Sequence, residues 1–206
     1  MEKLKNEYIN AIYAEKAFLV KEKPLRLHHG GESHLYLNHR EFLSKYKYLD
    51  LLSNIYIELI PKGLENFKLG ALDSQMSPVL CGLISAKLEK DIVIVKENIT
   101  PYGLEQKIYG NPSGEIVLID DMTSTGTMPI NAAKALREKG ATVKNLIVSA
   151  CRDLSAVENT AKEDIKTLYA ATFEEILKTL WEKLSDSEKN TVRKEIGEKK
   201  YNWELR

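Results

Sequence analysis

Residues 115–128 read EIVLIDDMTSTGTM: an apolar run, two adjacent carboxylates, then four hydroxyl side chains around one glycine. Carboxylates accept hydrogen bonds from a sugar diol and repel a phosphate. The hydroxyls of Thr123, Ser124, Thr125 and Thr127 donate, and amides at the start of a helix point at an anion that the helix dipole favours. Gly126 lets the backbone come close to a ligand. Asp120 and Asp121 followed by this turn therefore ask for a diol and a phosphate in one molecule. No Gly-Lys-Ser/Thr follows the glycine and no Gly-x-Gly-x-x-Gly is present, which argues against nucleoside triphosphates and dinucleotides.

The flanking pattern says how such a site is held. Ile116 to Ile119 reads as a buried parallel strand and Pro129 to Lys139 as a helix, so Asp120 to Thr127 falls at the strand's carboxyl end, where open α/β sheets bind ligands. Upstream come a helix over residues 1–17, a strand-rich arm from Ala17 to His39, and helical spacing of apolar residues from Phe42 to Ile60, stopped by Pro61 and Gly63. Strands are expected at Phe67–Leu72, Asp91–Lys96, Leu146–Cys151 and Thr167–Ala171, with a helix over Pro78–Leu88. Strands alternating with helices imply an α/β fold, a parallel sheet of about five strands flanked by helices. Residues 98–114 lack periodicity and are long enough for a functional loop. Phe173 to Leu184 is helical by pattern, and Ser185 with Glu188 forms a capping box for a last helix toward Gly197.

Composition excludes other classes. With 30 basic and 30 acidic residues among 206, and no basic block, nothing marks a nucleic-acid surface. Polar residues interrupt every apolar run before membrane-spanning length, and the first residues lack the apolar centre of a signal peptide, so a cytoplasmic protein is expected. Cys81 and Cys151 read as buried small hydrophobes. The four histidines, His28, His29, His34 and His39, crowd into twelve residues. They fit no familiar zinc spacing, and scattered polar or pocket positions are expected.

The 115–128 stretch resembles the 5-phosphoribosyl-1-pyrophosphate (PRPP) motif of the type I phosphoribosyltransferases. The chain is most similar to the orotate branch of that family, over most of its length. Leu25 to Asn38, LRLHHGGESHLYLN, resembles the segment that shapes the base pocket; VIVKEN followed by Tyr102-Gly103 resembles the lead into the hood loop; LIVSACRD resembles the strand that ends beside the base. Against the pattern, Val95, Ile99 and Tyr102 stand where basic residues or a histidine are usual, and the pyrophosphate loop over residues 72–78 lacks its glycine.

The resemblance implies a single domain: an N-terminal arm and hood (1–41), an α/β core (42–172) and a helical tail (173–206). It implies Mg²⁺-dependent transfer of phosphoribosyl from PRPP to orotate, giving orotidine 5′-monophosphate and pyrophosphate, in a homodimer whose hood loop closes over the partner's site. Asp120, Asp121 and Lys96 take the catalytic positions. Met122, Thr123, Ser124, Thr125, Gly126, Thr127, Arg152, Tyr36, His28 and Lys107 take the substrate-binding ones, with magnesium carried by PRPP and water. Two alternatives stay open: the same fold acting on another base, and a PRPP- or nucleotide-binding regulator without turnover.

Overall fold

The computed structural model describes residues 1–27, 30–98 and 106–198. Helix α1 (Glu2–Ala14) leads into the antiparallel hairpin β1 (Phe18–Arg26) and β2 (Glu32–Leu37), then helices α2 (His39–Leu43) and α3 (Tyr46–Leu59). Next come β3 (Phe67–Leu72), α4 (Ser77–Leu88), β4 (Ile92–Val95) and the two-residue β5 (Ile108–Tyr109). β6 (Gly114–Ile119), the two-residue β7 (Met122–Thr123), α5 (Thr127–Arg137) and β8 (Ala141–Cys151) follow. The described chain ends with α6 (Ser155–Lys162), β9 (Lys166–Thr172), α7 (Phe173–Leu180), a 3₁₀ turn at Trp181–Lys183 and α8 (Asp186–Gly197).

Five strands run parallel in the order β4-β3-β6-β8-β9. β5 adds antiparallel to the outer edge of β4, and β7 pairs with the far end of β8. The expected parallel α/β sheet is present. The chain steps outward from β3 to β4 in one direction and from β6 through β8 to β9 in the other, so a crevice opens between the carboxyl ends of β3 and β6.

Burial on both faces explains the apolar runs. Along β6, Val117 and Ile119 join the core under α1, α3, α4 and α7, while Ile116 and Leu118 join the core under α5; all four are fully buried. Gly70 of β3 is needed for this closeness, because a Cβ there would stand 2.8 Å from the side chains of Ile116 and Leu118. Cys81 and Cys151 are buried, and burial raises both thiols above their usual range, Cys151 to about 12.

Two expectations need correction. The helix expected over 42–60 is broken: Lys45 is extended (φ −94°, ψ 121°) and caps α3. The break lets Phe42 stack on Tyr48 with ring centroids 4.4 Å apart, a contact that six residues of continuous helix would turn to different faces. Helix α6 has no counterpart in the sequence reading; it is short and half exposed, so its apolar pattern is weak. The Ser185–Glu188 capping box is present as read, with each side chain bonded to the other residue's backbone N–H.

Candidate active site

The sheet ladder carries the acidic pair through. β6 pairs with β8 up to Ile119 opposite Ile147, and β7 resumes with Met122 opposite Ala150 in unchanged register. Between them the Asp120 N–H donates to the Ile147 carbonyl (3.1 Å), and the Ser149 N–H donates to the Asp121 carbonyl (3.1 Å). The two backbones are therefore fixed, and strand alternation sends the two side chains different ways.

Asp120 is 5% exposed, with Oδ1 accepting from Ser74 Oγ (3.0 Å) and from the Asp121 N–H (2.9 Å). Its carbonyl accepts from the Tyr56 hydroxyl at 2.6 Å. The Asp121 side chain is more open, and its Oδ2 lies 3.3 Å from His39 Nδ1. Burial, and then the neighbouring Asp121 charge, holds Asp120 well above the usual carboxylate range. Burial also acts to raise Asp121, but His39, Asp120 and the Met122 N–H together outweigh it and bring that carboxyl below its usual value. The pair thus differs in character: the Asp120 carboxyl is held above the usual range and the Asp121 carboxyl below it.

The hydroxyl-rich loop follows directly. Gly126 (φ +79°) caps α5, and a Cβ there would meet Thr160 Cγ2 at 3.0 Å and the Ala156 carbonyl at 3.1 Å. Glycine is required both for the left-handed turn and for the fit against α6. Arg152 N–H donates to the Thr123 carbonyl (2.9 Å), Asn159 to the Thr125 carbonyl (3.2 Å), and Thr125 and Thr127 hydroxyls bond to each other (2.9 Å). No acidic residue occupies the first turn of α5, so its N-terminus is open to an anion.

Arg152 closes the opposite wall at 7% exposure. Its Nη1 donates to Ser33 Oγ (3.1 Å) and to the Leu35 carbonyl (3.0 Å), its guanidinium lies 4.7 Å from the Phe173 ring centroid, and its Nε has no hydrogen-bond partner among the described residues. Behind it, fully buried Glu195 of α8 accepts from Ser33 Oγ (2.5 Å) and from the His34 N–H (2.7 Å). The last helix therefore braces the hairpin that braces the arginine.

Asp120, Asp121, Met122, Thr123, Ser124, Thr125, Gly126, Thr127, Arg152 and Tyr36 share one cavity of about 510 Å³. Lys96 and Lys107 do not enter it. They line a neighbouring space of about 250 Å³, with Asp73 touching both. His28, Ile99 and Tyr102 lie outside the described residues. Val95 is 3% exposed, because alternation on β4 turns Val93 and Val95 inward, and it lines the same space as Lys96 and Lys107. His39, Arg40, Ser74 and Gln75 also line the main cavity. Sequence reasoning took His39 only as one of four histidines at scattered polar or pocket positions and passed over Arg40; the local signal is their place at the head of the short helix capped by Asn38, whose Oδ1 accepts from Glu41 N–H.

No protein-family model matches the chain. Its fold is shared with the crystal structure of orotate phosphoribosyltransferase from Aeropyrum pernix (TM-score 0.73, 22% identity, 84% of this chain and 97% of that one). It is also shared with the Mycobacterium tuberculosis orotate phosphoribosyltransferase in complex with PRPP (TM-score 0.65, 16% identity, 84% and 98%). The molecule has the type I phosphoribosyltransferase fold. In sequence it is 30% identical over 167 residues to the orotate phosphoribosyltransferase of Pyrococcus horikoshii, covering 80% of this chain and 88% of the relative. It is also 30% identical over 174 residues to that of Natronomonas pharaonis, covering 83% and 96%. The chain belongs to the orotate phosphoribosyltransferase family.

Proposed function

We propose that the protein transfers the phosphoribosyl group of PRPP to orotate, yielding orotidine 5′-monophosphate and pyrophosphate. The observation that carries this reading is the convergence of Asp121, the Thr123–Thr127 loop and Arg152 on one cavity. The loop amides and hydroxyls take the 5-phosphate, and Asp121 accepts from the ribose hydroxyls. Its charge also faces the positive charge that grows on the ribose as the bond from the anomeric carbon to pyrophosphate breaks and the bond to the base nitrogen forms. Asp120, bonded to Ser74 and to the Asp121 N–H, keeps Asp121 in place. Tyr36 and Arg152 read the base, the guanidinium pairing with a carboxylate or imide edge. Met122 lies between the pair and the loop, and His28 belongs to the same base-side segment.

Among the described residues no three His, Cys, Asp or Glu side chains gather to hold a metal. Magnesium would enter on the diphosphate with water as its remaining ligands, beside the charged Asp121 carboxylate, and would neutralise charge on the leaving group.

Lys96 and Lys107 supply cations to pyrophosphate. Their separation from the acidic pair within one chain supports a homodimer in which the hood of one subunit serves the other. The apolar surface of α4, with Val79 43% exposed, beside Ile94 of β4 at 37%, suits such a partner. The chain reads as one domain, with residues 1–41 as arm and hood, 42–172 as core and 173–206 as tail. Its place is the cytoplasm; no helix among the described residues is long and apolar enough to cross a membrane.

Pyrophosphate release from PRPP and magnesium, measured with orotate, uracil, hypoxanthine, adenine and no base, tests the reading. Release that depends on orotate supports it. Release with another base alone reassigns the substrate, and PRPP binding without release under any base would leave a non-catalytic PRPP-binding protein.

A further inference from the structure

His39 is the member of the histidine cluster that reaches the acidic pair. It opens α2 at 2% exposure, on the cavity wall. Its Nε2 faces two hydroxyls, Tyr8 at 2.9 Å and Ser149 at 2.8 Å, which are 3.0 Å from each other. Ser149 Oγ also donates to the Asp121 carbonyl at 2.6 Å. The Tyr8 hydroxyl, which donates to Ser149 Oγ, also lies within reach of Nε2, and the tautomer with its ring proton on Nδ1 leaves Nε2 as an acceptor for it. Nδ1 is buried without a hydrogen bond among the described residues and stands 3.3 Å from Asp121 Oδ2.

Burying an imidazole and two hydroxyls is costly unless their polarity is used, and a leucine would fill the same layer without that cost. The network leads to one place, the carboxylate that faces the ligand. Asp120 is already tied to Ser74 and to the backbone.

We infer that His39 is a positioning residue for Asp121: its Nδ1–H, oriented by Tyr8 and Ser149, fixes Oδ2 and leaves Oδ1 for the ribose hydroxyls. The inference rests on Asp121 being the ribose ligand. It adds that an element distant in sequence determines where the Asp121 carboxylate points.

Three substitutions separate this role from packing. In His39→Asn the side-chain amide nitrogen can take the place of Nδ1; in His39→Gln it reaches only the Nε2 position; His39→Leu keeps bulk and offers neither. Steady-state kinetics with PRPP and orotate should show kcat reduced by roughly 10- to 100-fold in the Leu and Gln variants, the scale of a lost hydrogen bond to a charged group. KM for orotate should stay within about twofold, and Asn should recover most of the loss. Equal kcat for the Asn and Gln variants, or wild-type kcat in the Leu variant, would overturn the inference. Asp121→Asn is the control. If it leaves PRPP kinetics unchanged, the ribose assignment falls and the inference with it; a crippled Asp121→Asn beside an intact His39→Leu removes the inference alone.

Discussion

The two ends of the crevice are built differently. At the carboxyl end of β6, Asp120 to Thr123 sit on the ladder with β8, the loop to Thr127 follows directly, and long-range hydrogen bonds from Tyr56, Ser74, Ser149 and Asn159 hold this stretch. At the carboxyl end of β4, Lys96 follows a strand flanked by β3 and the two-residue β5, and its N–H donates to the carbonyl of Lys107, which leads into β5 at the sheet's edge. Lys96 Nζ lies 5.5 Å from the Tyr109 ring centroid and lines a separate space. The ribose-phosphate end is preorganised by the core. The leaving-group end is built on local, half-exposed structure, which is cheaper to move.

If that contrast is real, damage to the rigid end should be severe and local. Asp121→Asn should lower kcat by about 100- to 1000-fold, as expected for losing a preorganised charge at the reacting centre, with the melting temperature little changed. Lys96→Ala should cost less, about 10- to 100-fold, and its loss should be repairable in trans. Mixing Asp121→Asn and Lys96→Ala subunits should regain activity only if the lysine of one chain serves the site of another, and a mixture as inactive as its parents would place both ends in one chain.

The remaining effects concern what braces the rigid end. Glu195→Ala removes the buried acceptor of the His34 N–H and one acceptor of Ser33 Oγ, and should destabilise by about 3 kcal/mol, read as a lowered melting temperature with a raised KM for orotate. Gly126→Ala forces a positive φ on a residue with a side chain, at a cost of about 1 to 2 kcal/mol; a raised KM for PRPP with unchanged KM for orotate would locate that strain in the loop. The smallest effect has the opposite sign. Asp120 has a raised carboxyl in the folded state, so the stability it contributes is full below the ordinary carboxylate range and is lost as pH rises through its raised value. Asp120→Asn should therefore melt higher than the parent protein above neutrality, by about 2 to 4 °C, with the gap shrinking as pH falls and with activity reduced.

Much of the rigid end is legible from residue types, because it is contiguous. An apolar run buried on both faces, an acidic pair and a hydroxyl-rich turn with one glycine occupy fourteen consecutive residues, and strand alternation and helix-start chemistry act within a few residues of each other. The capping box of α8 was readable for the same reason. The break at Lys45, by contrast, depends on Phe42 stacking on Tyr48, which periodicity does not record. The burial of Val95 depends on which face of β4 meets α5.

By itself, then, the sequence determined the α/β class, the parallel strands and the placement of the acidic pair and hydroxyl-rich turn of residues 120–127 between a strand and a helix. Only the tertiary structure decided that His39 meets Asp121, that Tyr8 and Ser149 orient it, that Glu195 braces Arg152 through Ser33, and that Lys96 stands in another space. The physical reason is range. Propensity, alternation and capping are settled between near neighbours, whereas these contacts join residues separated by tens of positions or more, and they exist only once the strand order has brought their elements side by side.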